Sequence, residues 1–223
     1  MEPKAVLIKN NLVSFSPDMA PQDIQDLMTL MMYAELSANT RFDQKLHTKR
    51  WMDHYQSRLV KYGCSLASFL AEDELTATDM HQMRGWLLQF IGTLGSEELK
   101  GLAMRSFEAL RVDERAQRYL AASAASAASA GAGSAQVMKI TPCQLTASGE
   151  VLVFFCGMRL LRSEHVESSW HWDDKMRYVS FIPNGGVYHF DRVAFAVHRE
   201  KLGEALKRQS SDYFHEVGSS GLR

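Results

Sequence analysis

Through residues 1–120, apolar side chains recur every three or four positions, which is the spacing of amphipathic helices. The pattern predicts four helices, joined by short loops, that pack as an antiparallel bundle. The second helix is expected from residue 40 to about residue 62, and the spacing continues past Gly63 as a kink or a further helix. The positions that define these apolar faces are Ile24, Leu27, Met28 and Met31; Trp51, Tyr55, Leu59 and Tyr62; Leu66, Phe69 and Leu70; Met80, Met83, Leu87, Phe90, Ile91 and Leu94; and Leu99, Leu102, Ala103, Phe107 and Leu110.

Proline and small polar residues mark where the helices begin. Pro21 fits the first turn of the first helix. Thr76 or Thr78 is expected to cap the third helix, and Ser96 the fourth. Ahead of the first helix, residues 5–8 and 12–15 are expected to form short extended pieces.

Residues 121–135 read AASAASAASAGAGSA, so the stretch has no side chain larger than serine. Alanine is the strongest helix former, and residues 119–130 can prolong the preceding helix until Gly131 ends it. The lack of an apolar face to dock favours a flexible tether instead. Both interpretations predict a boundary here. The expected units are a helical bundle over 1–120, an Ala/Ser/Gly linker over 121–135, an α+β domain over 136–217 and a disordered tail over 218–223.

Beyond this stretch the pattern changes from helical to extended. Residues 151–156, VLVFFC, form a continuous apolar run typical of a strand buried on both faces. Residues 177–182 predict another strand, ended by a turn at Pro183-Asn184-Gly185-Gly186. Asp191 then caps a final helix, unless residues 187–197 continue as a strand. The fold class predicted is therefore α+β, with a helical first part and a mixed strand and helix second part.

Composition and charge narrow the classes of function. The 223 residues have 46% hydrophobic content, which is ordinary for a globular protein. The formal net charge is -1, and because basic residues are not in excess, no nucleic-acid partner is expected. The apolar run near the start is too short for a secretory signal, and no apolar run reaches the length of a membrane span. Three cysteines without a CxxC pair indicate a reducing compartment. We expect a cytoplasmic protein, with export by a route that needs no cleaved signal left open.

Two His-x-Asp pairs are the candidates for chemistry, namely His171 with Asp173 and His189 with Asp191. On a strand this spacing puts both side chains on one face, where imidazole and carboxylate together can hold a divalent metal or move a proton. The alternative is a solvated face, with Asp191 as a helix cap. Because no longer catalytic motif accompanies the pairs, we predict no metal at these residues and no cofactor.

Two groups of residues are candidates for contact with a partner. Met28, Met31 and Met32 form either an adaptable binding surface or part of a core. Arg41, Lys45 and Lys49, with Arg50 and Arg58, make one side of the second helix basic. That side suits an acidic protein partner or lipid head groups, or is an ordinary solvated face.

The chain also resembles a group of uncharacterised bacterial and fungal proteins. The resemblance lies in Trp51-x3-Tyr55-x3-Leu59-x3-Gly63, then Leu66 and Phe69, a small-residue linker, an apolar strand with paired phenylalanines and a closing amphipathic segment. Cys64 stands where that group usually has an aromatic residue. The resemblance implies a helical-plus-β layout and no activity.

These observations favour a non-enzymatic protein that interacts with a protein partner or takes part in an assembly, including a homo-oligomer. The first alternative is a metal-assisted hydrolase that uses the His-x-Asp pairs. The second is a membrane-active effector or toxin-type protein whose Met-rich helices rearrange onto lipid.

Overall fold

The computed structural model describes residues 4–44, 46–125, 136–161, 179–208 and 214–217. These residues form eight strands and seven helices. In chain order they are β1 (Lys4–Ile8), β2 (Asn11–Phe15), α1 (Pro21–Arg41), α2 (Thr48–Lys61), β3 (Cys64–Phe69), β4 (Leu75–Ala77), α3 (Met80–Leu94), α4 (Glu97–Val112), α5 (Glu114–Ala125), β5 (Gln136–Leu145), β6 (Val151–Leu161), β7 (Val179–Phe190), α6 (Arg192–Ala196), α7 (Arg199–Lys207) and β8 (Phe214–Val217).

All eight described strands belong to one mixed sheet. Its order is β3-β7-β6-β5-β2-β1-β8, and β4 pairs with the other end of β7. Strands β2 and β5 run parallel, and the remaining pairs are antiparallel. Helices α1, α2, α6 and α7 cover one face, and α3, α4 and α5 cover the other. The α+β class predicted from the sequence is confirmed.

Side chains alternate between the two faces along each strand, and this alternation divides the core in two. On β5, Met138 and Ile140 join the core beneath α3, α4 and α5, whereas Val137 joins the core beneath α1 and α2. On β6, Phe154 and Phe155 divide in the same way. Strands β5 and β6 therefore supply both cores, as the continuous apolar run at residues 151–156 predicts for β6.

The sheet takes strands from both sides of the small-residue stretch. The extended pieces expected at residues 5–8 and 12–15 are the paired strands β1 and β2. Strand β2 pairs with β5, and β3 pairs with β7. The residues before and after the stretch therefore build the same two cores, and the helices of residues 1–120 pack on a sheet as well as on one another.

The small-residue stretch begins as helix. Helix α5 continues from Glu114 through Ala125, so the helical interpretation holds for residues 121–125 and the tether does not. High alanine propensity accounts for this continuation. Residues 126–135 lie outside the described residues, as does the expected tail at 218–223.

The expected helix over residues 40–62 is corrected by the structure. Helix α1 runs to Arg41, and α2 begins only at Thr48. Past Gly63, whose φ of 109° favours glycine, the chain forms β3 and no further helix. Leu66 and Phe69 are three positions apart, as on a helix face, but they lie on this edge strand and are exposed. The spacing therefore does not indicate a buried face here.

Helix caps agree with the sequence in one case and differ in another. Ser96 caps α4 as predicted, accepting a hydrogen bond of 3.0 Å from the Leu99 amide. Helix α3 is capped by Asp79, which accepts from the Gln82 amide at 2.7 Å, and not by Thr76 or Thr78. Thr76 is already part of β4, which leaves Asp79 next to the first helical residue.

The predicted turn at Pro183-Asn184-Gly185-Gly186 does not form, because these residues lie inside β7. On one side these residues pair with β6. On the other side, the pairing of β7 with β3 stops at Gly186 and its pairing with β4 starts at Phe181, so neither strand pairs with Pro183. Proline is therefore tolerated where a partner strand is missing. A Cβ on Gly185 would lie 2.0 Å from the Phe155 carbonyl oxygen, so these glycines permit close strand approach.

Residues 187–197 combine both of the predicted alternatives. Strand β7 continues to Phe190, and Asp191 then caps α6. Its carboxylate accepts hydrogen bonds from the Val193 and Ala194 amides at 2.8 and 3.0 Å. The capping role expected for Asp191 is confirmed.

The aromatic residues of α2 are buried, as their spacing predicts. Trp51, Tyr55 and Tyr62 are 0%, 1% and 4% exposed, and they face the sheet. The Trp51 and Tyr55 rings stack at 5.4 Å between centroids, and Tyr55 stacks on Phe155 of β6 at 4.9 Å. This column of three rings ties α2 to the centre of the sheet.

A buried ion pair lies beside the aromatic column. Lys139 of β5 and Glu35 of α1 are 0% and 3% exposed, and the lysine ammonium donates a hydrogen bond to Glu35 Oε2. The ammonium also lies 4.5 Å from the centroid of the Trp51 ring and 5.3 Å from that of Tyr55, so the rings share in its stabilisation. Burial lowers the pKa of Lys139, while the Glu35 carboxylate opposes that shift.

Within the described ranges, every helix falls short of the combined length and apolar character that a membrane span requires.

Truncating Trp51 tests the aromatic column. We expect Trp51→Ala to lower the free energy of unfolding by roughly 3–5 kcal/mol, because it removes a buried indole and leaves a cavity. Val193, which is 80% exposed, provides the control, and Val193→Ala should change stability by less than about 0.5 kcal/mol. Urea denaturation followed by circular dichroism measures both. A loss under about 1 kcal/mol for Trp51→Ala would contradict the packing described here.

Variants of the ion pair test whether stability depends on its charges or on the volume of its side chains. Glu35→Gln should cost about 3–5 kcal/mol, since it leaves the Lys139 ammonium buried without a counter-charge. The double change Glu35→Leu with Lys139→Met should cost far less, because apolar groups of similar volume need no counter-charge. Equal losses in the two proteins, measured by the same denaturation, would show that the ion pair is not the source of the effect.

Candidate functional site

The His-x-Asp candidates do not form a described site. His189 is half-exposed on β7 and lies 4.0 Å from Glu150, and Asp191 is occupied as the cap of α6. His171 and Asp173 lie outside the described residues. Among the residues that are described, no cluster of three or more His, Cys, Asp or Glu side chains is arranged to hold a metal ion.

The three cysteines are free and buried. Burial raises the pKa of Cys64 and Cys156 to about 12, and it also raises the pKa of Cys143 well above its usual value. Since the thiolate is the nucleophilic form, these side chains are inert parts of the core.

The residues considered for partner contact separate in the structure. Met31 is 1% exposed, and Met28 and Met32 pack against the same core, so the methionine run belongs to the interior. Lys49 is exposed and pairs with Glu72. Lys45 lies outside the described residues. Arg41 lies on the lining of a concave surface.

That surface is a cleft of about 540 Å³ between α1, α2 and the end of α7. Helix α1 contributes the stripe of residues spaced three or four apart that faces away from the sheet, helix α2 contributes a histidine, and the end of α7 closes one side. The lining residues are Tyr33, Leu36, Ser37, Thr40, Arg41, His54, Ala205 and Arg208.

Two ion pairs hold the α6–α7 segment against α1. Arg199 binds Asp26 through two hydrogen bonds of 2.8 and 2.7 Å, and Arg192 donates to Asp23 at 2.9 Å. Asp26 is almost fully buried, and bidentate arginine–carboxylate pairs have a fixed geometry. These contacts hold the beginning of α7 against α1, and Arg208 at the other end of α7 lies on the lining of the cleft.

His54 and Ser37 form the inner polar wall of the cleft. The Ser37 hydroxyl lies 3.0 Å from His54 Nε2, and the Phe42 ring contacts the imidazole edge-on at 5.7 Å. Burial lowers the pKa of His54 below its usual 6.5, and the positive charges of Arg58 and Arg41 lower it further. The imidazole is therefore neutral near pH 7 and sits in a positive field.

Positive charge gathers at and around the cleft. The positive charges of Arg58 and Lys201 favour a lower pKa of Tyr33, and those of Arg58 and Arg41 favour a lower pKa of His54. Arg208 adds a further guanidinium to the lining. In the part of the chain that the structure describes, none of these four cations forms an ion pair with a carboxylate. The arrangement can bind an anion.

Sequence reasoning identified part of this site. Arg41 and Arg58 belong to the basic group assigned to the second helix, but Arg41 is the last residue of α1. Ser37, His54 and Arg208 were not predicted, because they come from three elements that are distant in sequence. The i, i+4 spacing of His54 and Arg58 is the one local signal that places them on a common helix face.

No family model and no curated protein matches the chain. Among solved structures, a delta-endotoxin is similar to it with a TM-score of 0.49 and 14% sequence identity, over 81% of this chain and 81% of that one. The Evf virulence factor is similar with a TM-score of 0.43 and 12% identity, over 91% of this chain and 80% of that one. At such low sequence identities and TM-scores, neither protein informs the function of this chain.

Titration of His54 tests the positive field of the cleft. We expect its pKa to lie below 6.5, and Arg41→Gln and Arg58→Gln each to raise it, because each change removes a cation that disfavours the imidazolium. Lys49→Gln is the matched control, since it removes a cation from the same helix that does not act on His54. The His54 ring proton shift, followed by NMR between pH 4 and 9 (about the range in which histidine titrates), gives the value. A pKa unaffected by either arginine would contradict the proposed field.

Proposed function

We propose that this chain is a non-enzymatic interaction protein whose cleft binds an acidic segment of a protein partner. The observation that carries the proposal is a concave surface lined by Arg41 and Arg208. The positive charges of Arg58 and Lys201 also act on its lining residues Tyr33 and His54, and none of the four cations forms an ion pair with a carboxylate among the described residues. Exposed arginines without such a pair bind an outside anion without first breaking an internal salt bridge.

The lining suits a peptide better than a free ion. Leu36, Ala205 and the Tyr33 ring add apolar surface beside the cations. Tyrosine and arginine are enriched where proteins meet partners, because they combine contact area with directed hydrogen bonds. A segment with one acidic group and an adjacent apolar side chain would satisfy both parts of the cleft.

The location proposed for this interaction is the cytoplasm. The three free, buried thiols support it, because such cysteines persist in a reducing compartment.

Charge reversal in the cleft tests the proposal. A fluorescent peptide rich in aspartate, glutamate and leucine should bind the protein, and the double change Arg41→Glu with Arg208→Glu should weaken that binding at least about tenfold by removing attraction and adding repulsion. Fluorescence anisotropy at low and physiological salt measures the affinity, which should fall as salt screens the charges.

Arg105 supplies the control, since it is an exposed arginine of α4 on the opposite helical layer. Arg105→Glu lowers the net charge by as much as each substitution in the cleft does. It should leave the affinity for the acidic peptide nearly unchanged. Equal weakening by Arg105→Glu would indicate non-specific attraction, and unchanged binding in the cleft variant would remove the proposed site.

A further inference from the structure

We infer that the group bound in this cleft is a phosphate monoester on the protein partner, gripped by Arg41 and Arg208, and that His54 takes up a proton when it binds. The inference rests on the proposed interaction function and names the chemistry of its ligand. The structure supplies three kinds of support for it, namely the donors in the cleft, the state of His54 and the shape of the surface.

The donors in the cleft exceed what one carboxylate can accept. Each guanidinium presents a planar fork of N–H groups, and one fork already satisfies both oxygens of a carboxylate. Arg41 and Arg208 together, with the hydroxyl of Ser37, call for an anion with at least three acceptor oxygens. A phosphate monoester has three such oxygens and a charge of about -1.5 to -2 at pH 7.

Among the described residues, no carboxylate is seen to act on His54. The groups that face it are Ser37 and Arg41 from α1, Phe42 after α1 and Arg58 from its own helix. None of these is a carboxylate, so these groups give the imidazolium no counter-charge. A bound dianion supplies that counter-charge and favours the protonated ring.

The direction of the pH dependence follows from this linkage. Because the pKa of His54 starts below its usual range and rises in the complex, binding strengthens as pH falls through the bound-state pKa and levels off below the free-state pKa. Protonation of the phosphate itself near pH 6 works in the opposite direction. A direct count of the protons taken up, compared between native protein and a His54 variant, separates the two effects.

The shape of the surface favours a peptide over a membrane as the source of the phosphate. The arginines lie on the lining of a concave cleft, which a single side chain can enter from solution. A bilayer presents a broad plane of head groups, which a concave wall does not match. A phosphorylated lipid is therefore the competing outcome of the test.

Isothermal titration calorimetry with full-length protein tests the inference. The probes are a phosphotyrosine peptide, its glutamate counterpart and the unphosphorylated peptide, each titrated near pH 7 in buffers of different ionisation enthalpy. The phosphopeptide should bind at least about tenfold more tightly than the glutamate peptide, as expected when a second arginine gains its partner. The buffers should reveal net proton uptake by the protein.

Variants assign these effects to residues. His54→Gln should abolish most of the proton uptake while keeping most of the affinity. Arg41→Gln should weaken phosphopeptide binding at least about tenfold and remove most of the preference over glutamate. Arg105→Gln on α4 is the matched control and should change neither quantity. Unchanged melting temperatures in all three variants confirm that the fold is intact.

Equal affinity for the phosphopeptide and the glutamate peptide would overturn the phosphate assignment and leave the acidic-partner proposal standing. No binding of either peptide would remove both. Proton uptake that persists in His54→Gln would overturn the role of His54. Binding to vesicles that contain phosphatidic acid, without binding to the phosphopeptide, would overturn the protein source in favour of a membrane one.

Discussion

The core beneath α1 and α2 has to accommodate one buried charge, the Lys139 ammonium, and the Glu35 carboxylate matches it. Strand β5 is the fourth of the seven strands along the sheet, so Lys139 projects from its middle into the core beneath α1 and α2. A charge in that position is tolerated only with a counter-charge and good geometry. Glu35 supplies the charge, and the Trp51 and Tyr55 rings enclose the ammonium. These contacts thus hold β5, α1 and α2 in fixed positions relative to one another.

This contact also fixes which way α1 faces. Residues 35 and 37 are about 200° apart around a helix of 3.6 residues per turn. Burying Glu35 against the sheet therefore turns Ser37 and Arg41 outward, to the cleft. On α2 the same division separates Trp51 and Tyr55, which face the rings of the sheet, from His54. The inner faces of the two helices define the core, and their outer faces contribute to the cleft.

Local patterns were enough to predict the buried aromatic column, the Ser96 cap and the α+β class, because each depends on neighbours along one element. They failed at β3, where Leu66 and Phe69 are exposed on an edge strand, and at Pro183, whose turn signal is overridden by pairing with β6. The cleft needed tertiary structure throughout. Arg208 follows α7, which Arg199 joins to Asp26 of α1, and no local sequence feature indicates that contact.

Two kinds of charge therefore lie on opposite sides of α1. Glu35 and Lys139 form the buried pair that bears on stability, and the exposed arginines of the cleft bear on the proposed binding. Lys139 is fully buried and has a counter-charge, so changing it disturbs the packing that orients α1. Arg41 and Arg208 are exposed and have no ion-pair partner within the described chain, so they contribute little to folding and keep their full attraction for an outside anion. The cleft can vary in its cations without loss of the fold, whereas removing one member of the buried pair leaves an uncompensated charge in the core behind it.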